Sequence, residues 1–372
     1  MRRFAILCAA FSFGPPLSAA ELDAPLKVIN SVGKEGAGNA EAAKAWAELV
    51  KAGPDALLPI LEAIDDRKPT SVNWLRTAID AIAEKQASDG AKFSEDSLTI
   101  FIRNRKNSPT ARSVAFEIFE NQEPVRSDVL LAGFIDDPSL ELRRKGVQKH
   151  ITLFKNDPNS FQKIFEAARD KDQVEAIAKE LEKLKLPANI TKHYGYITQW
   201  ALSEDFDNKN GLGFGKAYPP ETAAERKDWK AAQSSATYGT MDLNAAIGKK
   251  MNAVAYASAI LEAEAELPAE IRVASQNALK IYLNGKEIFA REEYHHGTKM
   301  DQHVAKVTLA KGKNTILLKV CQNDMPYDWA QAWGFAARVC DATGGSLKLK
   351  QLVDDKPVSL GELAPAETKE NK

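Results

Sequence analysis

The chain has 372 residues, with 50 Lys and Arg against 51 Asp and Glu and a formal net charge of −1. That balance excludes a global field that would draw nucleic acid or an anionic membrane. A hydrophobic share of 44% excludes a disordered chain, and the length suits about two domains.

Residues 1–20 read as a signal peptide. Arg2 and Arg3 give a positive start, the run from Phe4 to Phe11 is apolar, and Ser18-Ala19-Ala20 offers small residues for cleavage before Glu21. The run is too short to span a bilayer. Cys8 sits inside it, not after the small residues where a lipid-bearing cysteine belongs. No other long apolar run follows. The expectation is an exported, periplasmic or extracellular protein with no transmembrane segment in the mature chain.

Residues 21–186 read as helices. Ala43, Trp46, Ala47 and Val50, then Leu57, Leu58, Ile60, Leu61 and Ile64, then Leu75, Ala78, Ile79 and Ile82 recur at helical spacing. The pattern continues through Phe116 and Phe119, Leu142 and Val147, Phe161 and Ile164, and Val174, Ile177 and Leu181. Ser108-Pro109, Asp137-Pro138 and Asp157-Pro158 each pair a capping residue with a proline suited to a first turn. The stretch Asp136-Asp137-Pro138-Ser139-Leu140-Glu141-Leu142-Arg143-Arg144 resembles the turn inside HEAT-like repeats. Stacked repeats of that kind form an α-solenoid. The repeat lacks a strict period, which leaves an irregular helical bundle as the alternative.

The character changes at Lys185-Leu186-Pro187-Ala188-Asn189, and residues 187–353 read as an antiparallel β-sandwich. Leu279, Ile281 and Leu283 share one face and Lys280 and Tyr282 the other. Asn284-Gly285 supplies a tight turn, and Ile288 and Phe289 return. Val304, Val307 and Leu309 lead through Gly312-Lys313-Asn314 into a strand at 315–321, and Trp333–Val339 reads as the next. If 315–321 and 333–340 form a hairpin, Cys321 and Cys340 lie at opposite ends. At ~3.3 Å per residue their backbones stand on the order of 20 Å apart, beyond the ~7 Å reach of a disulfide. Both are expected reduced and buried. Residues 354–372 read as a polar, flexible tail.

The run Leu279-Lys280-Ile281-Tyr282-Leu283-Asn284-Gly285-Lys286-Glu287-Ile288, with Gly312–Val320, resembles galactose-binding-like jelly rolls. These include the non-catalytic sugar-binding domain of family 2 glycoside hydrolases and related carbohydrate-binding modules. Trp200, Glu204–Asn208, Gly213-Phe214, Tyr218-Pro219-Pro220-Glu221 and Trp333-Gly334-Phe335 resemble a narrower group of exported proteins of planctomycete-like bacteria. There too, HEAT-like repeats precede the sandwich. The resemblance implies a fold and, through it, carbohydrate binding. It supplies no ligand residues.

Candidate site residues come from composition. Tyr327, Trp329 and Trp333 alternate with Asp324, Asp328 and Gln331, pairing aromatic faces for sugar C–H surfaces with groups that bond hydroxyls. A sandwich also needs large inward residues, and Trp333 fits that part. Glu292-Glu293-Tyr294-His295-His296 with Asp301 and His303 offers metal-type ligands, but adjacent residues of a strand face apart, so a polar loop is the plainer reading. Tyr294, His295, Tyr327, Asp328 and Trp329 are the expected ligand-binding set. Asp205, Asp207 and Asn208 are spaced as in a calcium loop without the full EF-hand pattern, so a structural calcium ion is the one cofactor on offer. Gly211-Leu212-Gly213-Phe214-Gly215 lacks the lysine of a phosphate loop, and no nucleophile motif is present. The expected function is a non-catalytic binding protein, its sandwich taking carbohydrate and its helices a cell-envelope protein. A purely structural interaction scaffold is the alternative, and a hydrolase with an unrecognised site the third.

Overall fold

The computed structural model describes residues 19–154, 157–222, 229–353 and 356–361. The expected signal peptide lies outside them apart from Ala19 and Ala20, which begin the first helix. Two compact units divide at Met1–Asn156 and Asp157–Lys372.

The first unit is helical: α1 Ala19–Asn30, α2 Asn39–Ala52, α3 Leu57–Glu62, α4 Pro69–Ser88, α5 Glu95–Arg103, α6 Pro109–Gln122, α7 Pro124–Leu131 and α8 Leu140–Leu153. Their apolar stripes meet in one core containing Leu49, Ile60, Leu75, Ile79, Ile102, Phe116 and Phe119. Neighbours in sequence pack together, α1 on α2, α5 on α6, α6 on α7 and α7 on α8. Ser108 caps α6 as expected, its hydroxyl accepting from Ala111 N at 3.1 Å. Pro138 does not open a helix. The cap is Ser139, one residue later, accepting from Leu142 N at 3.4 Å. Asp137 is freed for a buried partner, Arg112. Arg143 of α8 reaches back to the turn, donating to Asp137 O at 2.7 Å and Asp136 O at 2.9 Å.

The second unit opens with α9 Pro158–Ala167, α10 Lys171–Lys183 and α11 Ile190–Tyr194. Antiparallel strands follow: β1 Gln199–Leu202, β2 Phe206–Asp207, β3 Lys230–Gln233, β4 Met241–Asp242, β5 Ala253–Ala263, β6 Leu267–Ala274, β7 Ala278–Leu283, β8 Lys286–Arg291, β9 His303–Leu309, β10 Gly312–Gln322, β11 Gly334–Cys340, β12 Lys350–Val353 and β13 Lys356–Ser359. Three short helices, α12 Leu212–Gly215, α13 Pro219–Thr222 and α14 Leu243–Ile247, lie between them. The larger sheet runs β13-β12-β5-β10-β7-β8, with β1 and β2 also on β5 and β3 on β1; the smaller runs β4-β11-β6-β9. Residues 356–359, read from sequence as part of a flexible tail, instead pair with Lys350–Val353.

Alternation places the core between the sheets. Ile316, Leu318 and Val320 of β10 join Leu279, Ile281 and Leu283 of β7 and Phe335, Ala337 and Val339 of β11. The opposite face of the larger sheet is also covered: Val254, Tyr256, Tyr282, Leu317 and Cys321 pack under Phe206, Phe214 and Tyr218. β10 and β11 are not a hairpin. They belong to different sheets, because residues 323–333 cross from one to the other. Cys321 and Cys340 are nonetheless free and buried, as expected.

Candidate functional site

Three of the expected ligand-binding residues come together at the end of the sandwich where β10 runs out. The crossing loop is held from inside by amides. Gln322, 2% exposed, donates to Ala330 O at 3.2 Å and Gln331 O at 3.3 Å. Asn277 donates to Gln322 Oε1 at 3.1 Å, and Gln331 Nε2 donates to Met325 O at 2.9 Å. With its backbone occupied inward, the loop projects Tyr327 and Trp329 outward, 59% and 64% exposed. Their ring planes are parallel within 7°, with centroids 6.0 Å apart.

His295 joins them from the loop after β8. It sits at φ +60, its backbone N–H donating to Gln276 O at 2.7 Å. Its ring meets Trp329 edge-on at 5.5 Å and 84°. Nε2 lies 2.7 Å from Asn323 Oδ1, which assigns the proton to Nε2. Asp328 and Asp324 are exposed beside the rings in sequence. The result is an exposed aromatic surface with imidazole, amide and carboxylate groups at its border.

Tyr294 does not belong to that surface. It packs on the outer cluster of the larger sheet, its hydroxyl accepts from Asn208 Nδ2 at 3.1 Å, and burial pushes its phenol up to about 12. Trp333 is structural: it is 1% exposed and donates from Nε1 to Val320 O at 3.3 Å. Nor do the proposed calcium ligands converge. Asp205 pairs with Lys250 at 3.2 Å, Asp207 Oδ1 accepts from Lys209 N at 3.0 Å, and Asn208 turns inward to donate to Gln322 O at 3.0 Å. Three consecutive loop functions pull them apart. Among the described residues no group of three or more His, Cys, Asp or Glu is placed to hold a metal ion.

The remaining motif residues fasten a cover over the larger sheet. Lys319 points outward from β10 yet is fully buried, donating to Phe214 O at 3.1 Å, Lys216 O at 2.6 Å and Glu221 Oε1 at 2.8 Å. Tyr256 and Tyr282 donate to the two oxygens of Glu221, the latter at 2.8 Å. Burial opposes ionisation of Glu221, but those donors hold its carboxyl below the ordinary value. A Cβ at Gly213 would stand 2.6 Å from Asp207 O, so only glycine lets this cover close. A lysine inside the apolar run Thr315–Val320 was the sequence signal for this network.

No protein-family model matches the chain, and no curated protein does. Among solved structures, a beta-glucosidase from Kluyveromyces marxianus in complex with glucose is 13% identical at a TM-score of 0.26, over 39% of this chain and 16% of that one. The PA14 domain of the MpAFP antifreeze protein is 10% identical at 0.18, over 29% of this chain and 48% of that one. A complex of CpcE and CpcF of phycocyanin lyase from Nostoc is 16% identical at 0.24, over 44% and 99%. The chain therefore spans under a fifth of the beta-glucosidase and about half of the PA14 chain. At these scores the likenesses decide neither topology nor activity.

Proposed function

We propose that this is an exported, non-catalytic binding protein whose sandwich recognises carbohydrate at the Tyr327–Trp329 rim and whose helical unit contacts a protein partner. The observation that carries the reading is the parallel, exposed pair of aromatic rings. Large exposed aromatics cost solvation unless something covers them, and flat rings bordered by amide, imidazole and carboxylate groups suit a sugar's C–H face and hydroxyls. The finer architecture belongs to the same proposal: HEAT-like stacking of the helices, supported by the Arg143 tie to its turn, and a galactose-binding-like jelly roll, supported by antiparallel sheets around one core. Ile100, Val125 and Val129 on α5 and α7 are each at least 71% exposed, which favours a protein partner for the helices.

The test is a glycan-array assay on the full chain, with and without calcium. Saturable binding that is lost on Trp329→Ala while the thermal melt is unchanged supports the reading. A folded protein that binds no glycan overturns it in favour of an interaction scaffold of the cell envelope, to be pursued by pull-down.

A further inference from the structure

The outward face of the smaller sheet carries a cavity that the aromatic rim does not use. Outward positions on β6 and β11 include Ala274, Gly334 and Ala336, with Ala336 paired directly to Ala274. Small side chains on two adjacent strands leave space. Gly334 is obligatory there, since a Cβ would meet Met241 O at 2.5 Å. Above this floor lies an open-topped cavity of about 430 Å³, within the range of small-molecule sites.

Two of its walls are held by contacts of the protein itself. On one side stands Tyr238, whose hydroxyl donates to Glu175 and whose ring carries the Lys171 ammonium 4.8 Å from its centroid. Gly239, at φ +60, lets this wall close on Tyr196, where a Cβ would stand 2.8 Å from Tyr196 Cβ. The run from Thr298 to Met300 also lines the cavity. The next residue, Asp301, anchors that run by accepting from Arg338 Nε at 2.6 Å and Arg272 Nη1 at 2.7 Å. Arg338 is itself 2% exposed and donates to Tyr194 O at 3.0 Å. Walls fixed in this way hold a site open without the ordering cost of forming it on binding.

The polar groups name the ligand's chemistry. Asn244 donates Nδ2 to Gln331 O at 2.8 Å, which orients its amide, and its buried Oδ1 has no protein partner among the described residues. A buried acceptor without a partner calls for a donor. Lys299 stands exposed at the mouth, and no described carboxylate pairs with it. Asp242, the lining's carboxylate, already accepts from Ala245 N at 3.2 Å as the cap of α14. Lys171 is paired with Glu175 at 3.8 Å, so Lys299 is the cation of the lining left for a ligand's negative charge.

We infer that this cavity binds a hydroxylated organic anion of the sugar-acid class. A ligand hydroxyl donates to Asn244 Oδ1, its carboxylate pairs with Lys299, and its C–H body lies against Tyr238 and Met300. No residue of the aromatic rim lines the cavity, so this site stands or falls apart from glycan binding there.

The experiment is isothermal titration of the full chain with D-glucuronate, D-galacturonate and D-gluconate. D-Glucose serves as the probe with hydroxyls and no charge, and acetate as the probe with charge and no hydroxyls. At least one sugar acid is expected to bind saturably and about tenfold or more tighter than glucose or acetate. Lys299→Glu, a surface change, is expected to abolish that advantage over glucose, and Asn244→Ala to abolish the advantage over acetate. Ala336→Phe, checked for an unchanged melt, fills the floor and is expected to abolish binding, whereas Trp329→Ala leaves it unchanged. Glucose binding as tightly as the acids, retention of affinity in Lys299→Glu, or no saturable binding of any of the three acids at millimolar concentration overturns the proposal.

Discussion

Arg112 on α6 grips Asp137 with both prongs of its guanidinium, Nη1 to Oδ1 at 2.8 Å and Nη2 to Oδ2 at 2.7 Å, and neither side chain touches solvent. Further bonds complete the pair: Arg112 Nε donates to Ile102 O at 2.6 Å and Ser139 N donates to Asp137 Oδ1 at 2.8 Å. Burying two charges is costly, and their attraction offsets the cost only with geometry of this kind. Removing Arg112 leaves the buried Asp137 carboxylate with only the half-exposed Arg105, 3.8 Å away, as a cation. Arg112→Met is therefore expected to destabilise the helical unit by roughly 3–5 kcal/mol in urea unfolding. Arg112→Met/Asp137→Leu is expected to recover most of that loss. A double variant as unstable as the single would show that the pair is not the source of the effect.

Trp329 and Trp333 are four positions apart and do opposite work. Trp329 is 64% exposed, whereas Trp333 is 1% exposed and bonded to Val320 O. Trp329→Ala is expected to move stability by no more than about 0.5 kcal/mol, while Trp333→Ala costs about 3–5 kcal/mol. Urea midpoints of the two variants decide this, and equal losses would mean that Trp329 is packed rather than displayed.

That contrast marks how far the sequence could be read. Leu279, Ile281 and Leu283 alternate around a partner face and Asn284-Gly285 turns at positive φ, so β7 and β8 were legible. β5, the strand on which the larger sheet is built, was not. Alanines 255, 257 and 259 fill its inner positions, alanine carries no strand preference, and burial on both faces erases the polar alternation. The same two-sided burial makes Lys319 look exposed in sequence. The β10–β11 hairpin failed because nearness along the chain says nothing about which sheet a loop enters. Tyr327 and Trp329 could be named as candidates, but their exposure depends on Gln322 and Asn277 holding the loop from inside. The cavity on the smaller sheet was invisible, since Lys171, Asn244 and Lys299 meet only through the fold.

Cys321 faces the cover of the larger sheet and Cys340 lies on β11 of the smaller one, so no local motion joins them. Burial raises the thiols, Cys321 to about 12 and Cys340 to about 11, which suppresses thiolate at neutral pH. Neither is expected to react with iodoacetamide in the folded chain. Both should be alkylated fully after unfolding without a reductant, read by peptide mass mapping. A requirement for reductant before either is modified would reveal a bridge that contradicts this placement.

His193 on α11 gives the sandwich unit its expected pH dependence. Its ring packs 4.6 Å from Phe165 and 4.8 Å from Tyr194, with Nε2 at 2.9 Å from Ala168 O. Burial first, and the Arg169 charge second, lower it from 6.5 to about 4. The unfolded chain therefore binds the proton earlier than the folded one. Stability is complete above about pH 6.5 and declines as pH falls towards 4, by on the order of 3 kcal/mol at ~1.4 kcal/mol per unit. His303 is lowered too, by burial and by the neighbouring His296, and adds a smaller slope in the same window. The carboxyl of Asp301 opposes its burial through Arg338 and Arg272 and is held below its ordinary value. Its contribution is lost only at lower pH, beneath the histidine window. Urea midpoints measured from pH 7 to 4.5 are expected to fall steadily in the native chain. His193→Gln keeps a donor towards Ala168 O but cannot take up a proton, so it should flatten most of that slope. An unchanged slope in the variant would assign the acid sensitivity to groups other than His193.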